Sequence, residues 1–136
     1  FIHHVRTWRY TIGSPDVDLF SMHGEINAFG EKQLLSRQAI FNLQLLSEEL
    51  IQLVMPQLRT GAKFEFAVQF VEEDHTLNAW LHLPPGIPNP IESESENAAL
   101  SLALIRNLAT VTGYEAKDEG AQLTFRVNQE SHRKVV

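Results

Sequence analysis

Apolar residues along this chain change their spacing several times, and each change predicts a different element. Residues 1–12 (FIHHVRTWRYTI) are rich in aromatic and β-branched side chains and read as a strand that Gly13 ends. Ser14, Pro15 and Asp16 then predict a helix, because serine can cap and proline suits the first helical position. Gly30 is expected to stop that helix after about Phe29. The segment from about Leu34 to Met55 carries the strongest helical pattern, with Ile40, Leu43, Leu46, Leu50 and Leu53 in one stripe. Phe41, Leu45, Glu48, Gln52 and Met55 form a second, partly polar stripe, so this helix is expected between two neighbours. Pro56 marks its end or a kink near it.

The period then switches to two. Phe64, Phe66, Val68 and Phe70 alternate with Lys63, Glu65, Ala67 and Gln69. Leu77, Ala79, Leu81 and Leu83 alternate with Thr76, Asn78, Trp80 and His82, and residues 72–75 (EEDH) make the turn between the two strands. Residues 84–94 hold four prolines and are expected to lack regular structure. Ser95 opens a helix predicted to reach about Val111, with Leu100, Ala103, Leu104 and Leu108 facing inward and Gly113 closing it. Two short strands follow, around 114–116 and 122–127, with Asp118-Glu119-Gly120 as their turn. Residues 128–136 are polar and then basic, and are expected to fray. There is no internal repeat. The pattern implies a single α/β (α+β) domain over residues 1–136: a two-layer sandwich with a mostly antiparallel sheet covered by about three helices.

Composition narrows the chemistry. With 136 residues and 43% hydrophobic content, the chain can bury a core without a metal or a disulfide. It contains no cysteine, which excludes thiolate metal sites and cysteine nucleophiles. The net charge of -6, with Lys and Arg scattered, argues against a surface that tracks nucleic-acid phosphates. No apolar run reaches membrane-span length and no signal peptide is recognisable, so a cytoplasmic setting is expected. The first residue, Phe1, falls inside a strand-like stretch, which suggests a piece of a longer protein. His3 and His4 would point to opposite faces of a strand, and His23, His75, His82 and His132 show no metal-ligand spacing. Nucleophile elbow, P-loop and dinucleotide fingerprint are all missing from the sequence.

Three stretches resemble one family in order and spacing. Ser47-Glu48-Glu49-Leu50-Ile51-Gln52-Leu53-Val54-Met55-Pro56 resembles an S-E-A-L-T-N-A-x-x-H helix. Leu83-Pro84-Pro85-Gly86-Ile87-Pro88 resembles a strand exit of the form D-x-G-x-P. Ala99-Leu100-Ser101-Leu102-Ala103-Leu104-Ile105-Arg106 resembles G-L-G-L-x-L-I-R. These are motifs of the histidine-kinase-like (Bergerat-fold, GHKL) ATPases, specifically the anti-sigma-factor serine-kinase branch, and the likeness spans about residues 15–128.

The resemblance implies a Bergerat-like sheet-and-helix sandwich that binds ATP and magnesium. It makes Glu48 the candidate general base and puts Gln52 where the family's magnesium-binding Asn stands. Gly86 and Pro88 border the adenine site, and Ala99 and Ser101 replace the glycines that admit the phosphates. The departures fall on ligand contacts. Pro84 replaces the Asp that accepts from adenine, and proline has no side-chain acceptor. Losing such a hydrogen bond costs about 1–3 kcal/mol. Gln52 is one methylene longer than Asn, whereas magnesium demands near-ideal octahedral geometry. Glu92, Glu94 and Glu96 precede the third helix with no Lys or Arg among them, and would compete with a triphosphate for its positive end.

Each residue also has an ordinary reading. Glu48 and Gln52 can be solvated helix positions, Gly86 a turn glycine, the three glutamates a solvated loop, and Arg106 the partner of a nearby carboxylate. The expectation is therefore a degenerate ATPase-fold domain, without a cofactor, serving as a regulatory or protein-interaction module of a larger bacterial-type protein. It would contact a protein partner or other domains of the parent chain, or form a homodimer, with no nucleic-acid binding and no membrane insertion. The alternative is an active serine kinase that uses Glu48 as base and Gln52 for magnesium. A third reading is a small-molecule sensor using a cavity between the long helix, the 84–98 segment and the hairpin.

Overall fold

The computed structural model describes residues 5–13 and 16–130. Strand β1 is Val5–Gly13, helix α1 is Leu19–Lys32 and helix α2 is Arg37–Val54. Strands β2 and β3 are Lys63–Val71 and Thr76–Leu83, helix α3 is Glu96–Leu108, and strands β4 and β5 are Ala109–Lys117 and Gly120–Val127. One-turn 3₁₀ helices follow α2 (Met55–Gln57) and precede α3 (Pro90–Glu92). The strands form a five-stranded antiparallel sheet in the order β1-β2-β3-β5-β4, and the three helices pack on it. The fold is thus α+β in two layers.

Alternation decides which face of the sheet is covered. Phe64, Phe66, Val68 and Phe70 on β2 are buried with Leu77, Ala79, Leu81 and Leu83 on β3 and Leu123, Phe125 and Val127 on β5. From the helices, Ile40, Leu43, Leu46, Leu50 and Leu53 of α2 enter the same core. Helix α2 lies against both α1 and α3, but its second stripe is not buried: Phe41 and Gln52 are exposed, and Leu45, Glu48 and Met55 are only partly covered. Burying one such side chain contributes roughly 1.5–3 kcal/mol, so this stripe is the largest single helical contribution to the core.

Several boundaries differ from the sequence expectation. Ser14, Pro15, His3, His4 and His132 lie outside the described residues. Helix α1 starts at Leu19, where Asp18 caps it by accepting from the Ser21 N–H at 2.9 Å. Gly30 does not stop α1 but sits buried inside it, where an added Cβ would fall 2.3 Å from Cγ1 of Ile40. Its role is close approach of α1 to α2. The helix stops at Lys32, and just beyond it Leu34 takes φ 60°, with the Leu35 N–H donating to the Gly30 carbonyl at 2.9 Å. This is the glycine-type C-terminal motif carried by a leucine that is 87% exposed.

Helix α3 ends at Leu108, and Ala109 is already extended (φ -156°, ψ 161°). Ala109, Thr110 and Val111 pair with β5 instead of extending the helix. Gly113 falls inside β4, at a register shift opposite Thr124. The inward stripe of α3 is Ala98, Ser101, Leu102, Ile105 and Leu108, while Leu100 and Ala103 are exposed. A helix rich in Leu and Ala on all sides leaves its facing undecided by periodicity alone. Residues 128–130 are tied down where fraying was expected. The Asn128 N–H donates to the Leu108 carbonyl at 2.9 Å, and the Ser36 hydroxyl to the Gln129 carbonyl at 3.2 Å. The buried Asn42 Nδ2 donates to the Asn128 carbonyl at 2.8 Å.

Two substitutions test this description. Leu34→Gly relieves a left-handed leucine without losing packing, and is expected to stabilise the fold by about 0.5–1 kcal/mol after glycine's entropic cost. Gly120 has φ +135° and an added Cβ would lie 2.0 Å from the Leu83 carbonyl oxygen. Gly120→Ala is therefore expected to destabilise by about 2–5 kcal/mol. Urea denaturation reads both, and opposite signs from these would contradict the backbone geometry.

Candidate functional site

The proline-rich segment is shaped by its own side chains. Asn89 Oδ1 accepts from the Ile91 N–H at 3.1 Å and so starts the 3₁₀ turn in which Pro90 is buried. Ile87 and Ile91 pack partly against the core, which anchors the segment on either side of that turn. Ser93 Oγ then accepts from the Ser95 N–H at 3.4 Å, and Ser95 caps α3 through the Asn97 N–H at 3.3 Å.

A cleft of about 670 Å³ lies between this segment, the C-terminal end of α2 and the first turns of α3. Small-molecule sites run from about 300 to 1,000 Å³, so its size suits a ligand. Gln52, Leu53, Pro56 and Gln57 line it from the α2 side, Pro88, Asn89, Glu92 and Glu94 from the proline segment, and Asn97, Ala98 and Ser101 from α3. Amides, hydroxyls and carboxylates line it together with the apolar Leu53, Pro56, Pro88 and Ala98. Its charged lining residues, among those described, are the two carboxylates, with no Lys or Arg. The positive end of α3 opens here, but Ser95 already caps it and Glu96 stands in its first turn.

The structure divides the residues singled out from sequence. Gln52, Pro88 and Ser101 share the cleft with Glu92 and Glu94. Gly86 (φ +88°) lies instead in a separate concavity of about 330 Å³ with Pro84, Pro85 and Arg59. Ala99 is exposed and does not line the cleft. Glu48 turns toward α1, where its Oε2 is 3.9 Å from Nε2 of His23. That nitrogen is buried without a hydrogen-bond partner among the described residues, and the Gln44 amide donates to the His23 carbonyl at 3.1 Å nearby. Residues four apart on a helix differ by about 40° in direction, and here that angle separates the two: Glu48 meets α1 while Gln52 meets the cleft.

Sequence reasoning passed over Glu49, a carboxylate only 9% exposed. Its spacing from Leu46 and Leu53 was the available signal, since three and four residues put it on their buried stripe. It also passed over Gln57, Asn89 and Asn97 in the cleft, which no periodicity marks.

These residues do not fit a magnesium nucleotide. Glu48 is directed elsewhere, Ala99 lies outside the cleft, and the charged side chains that line it, Glu92 and Glu94, would repel a triphosphate. Among the described residues, no helix is long and apolar enough to cross a membrane. Comparison with protein-family profiles and with curated protein sequences returns no match for this chain.

The Glu48–His23 pair is partly exposed on both sides. Glu48→Gln is therefore expected to change stability by less than about 1 kcal/mol and to leave the fold intact. A thermal-denaturation series on the variant measures this, and a larger loss would mean that the carboxylate carries more of the α1–α2 contact than its distance implies.

Proposed function

We propose that this domain is a degenerate histidine-kinase-like ATPase fold that serves as a non-catalytic regulatory or protein-interaction module of a larger bacterial-type protein, in the cytoplasm. The observation that carries the reading is the charge of the cleft. Where a triphosphate needs cations and backbone access, the lining offers Glu92, Glu94 and no Lys or Arg. The candidate base Glu48 is also turned away from it. Two charges of like sign a few ångströms apart in a partly enclosed site repel by several kcal/mol.

A second feature supports a role through protein contacts. The helical layer exposes Phe20 (79%), Phe41 (55%) and Leu100 (71%), in addition to Leu34 at the turn between α1 and α2. A contiguous apolar patch is a recurrent mark of association, and the reading takes these side chains, one from each helix, as its elements. Partner, parent domain or second copy would all be served by such a surface. The active serine-kinase alternative draws its support from Gln52 and Ser101 meeting in one cleft beside a helix N-terminus.

Calorimetric titration with magnesium-ATP separates the two readings. The degenerate reading expects no saturable heat up to millimolar nucleotide. A micromolar dissociation constant would overturn the degenerate reading, and phosphoryl transfer lost in Glu48→Gln would establish the kinase reading in its place.

A further inference from the structure

Helix α3 runs into β4 without a loop: Leu108 closes the helix and Ala109 is the first strand residue. The helix must therefore diverge from the strand it feeds, and β4 is an edge strand with no neighbour beyond it among the described residues. Val111 pairs with Phe125, which is fully buried, yet Val111 itself is 40% exposed. The gap between the departing helix and this edge is a concavity of about 220 Å³. Leu102, Ile105 and Ala109 are buried and form its floor, and Ile91 from the proline segment closes one side. Arg106 and Thr110, both exposed, stand at its rim.

Arg106 forms neither an ion pair nor a side-chain hydrogen bond among the described residues. The carboxylate partner that the sequence leads one to expect is thus not among them, although the chain carries 17 Asp and Glu. A guanidinium presents a planar fork of donors matched to a carboxylate, and here it sits beside an apolar floor. Size sets the ligand's limits. An apolar cavity of about 150 Å³ already accepts benzene, whereas drug-sized ligands need about 300 Å³ or more. One ring or a short alkyl chain fits between those bounds.

We propose that the pocket between α3 and β4 binds a small apolar carboxylate, of the size of phenylacetate or hexanoate. Its hydrocarbon lies on Leu102, Ile105 and Ala109, and its carboxylate pairs with Arg106 with the Thr110 hydroxyl as a second donor. The site is independent of the cleft at the other flank of α3, since the two share no lining residue.

Titration of the 136-residue chain with phenylacetate and hexanoate, followed by amide chemical shifts in NMR, tests this. The expected result is saturable shifts at Ile91 and from Leu102 to Val111, at ligand concentrations up to about 10 mM, as befits so few atoms. Phenethylamine, with the same ring and the opposite charge, should give none. Arg106→Gln, an exposed position, should keep the native spectrum and weaken carboxylate binding about tenfold. Val111→Trp should block the pocket from its rim. The proposal is overturned if neither acid shifts these amides, if the amine binds as well as the acid, or if Arg106→Gln leaves the affinity unchanged.

Discussion

The structure depends on the burial of α2 along most of its circumference. Ala39, Leu43, Leu46, Leu50 and Val54 are shielded from solvent almost completely, while α1 and α3 flank the same helix on either side. A helix held on three sides has its rotation about its own axis determined by packing. Every polar residue on it is then directed as well. Asn42 is turned to the segment after β5, Gln44 and Glu48 to α1, and Gln52 to the cleft. None of these directions is chosen by the polar groups themselves, because each is worth at most a few kcal/mol against a stripe of buried leucines.

The cleft follows from the same constraint. Its wall on the α2 side comes from the last turn of that helix, and its opposite wall from the start of α3, with the proline segment spanning the two. Pro90, Ile87 and Ile91 hold the segment to the core, so its glutamates are left on the cleft side rather than buried. An enclosure of amides, hydroxyls and carboxylates suits neutral or cationic polar groups and penalises phosphates. The charge of the lining, more than the volume of the cleft, sets which ligands it would favour.

The far side of α3 shows how a topological detail creates a cavity. A helix that becomes an edge strand within one residue leaves the core-facing side of that strand partly uncovered. Packing would ordinarily close such a gap with a larger side chain, but Ala109 lies at its base. The rest of the helix-bearing face is densely filled, as the buried Phe66, Leu81, Leu123 and Phe125 attest.

By itself the sequence determined the existence and type of nearly every element, because period-two and helical spacings are local properties. The hairpin of β2 and β3, the α2 stripe, the proline interruption and the α+β class all rest on such spacings. Tertiary structure alone decided the facing of α3, the conversion of residues 109–111 from helix to strand, and the role of Gly30 against Ile40. Those outcomes turn on pairing and packing with residues distant in sequence. The candidate site divides in the same way. Glu48 and Gln52 share a helix face by spacing, but which neighbour each one meets depends on where α1 and α3 lie. Hydrogen bonds and side-chain contacts act over a few ångströms, so a difference of some 40° about a helix axis is enough to send two adjacent positions to different surroundings.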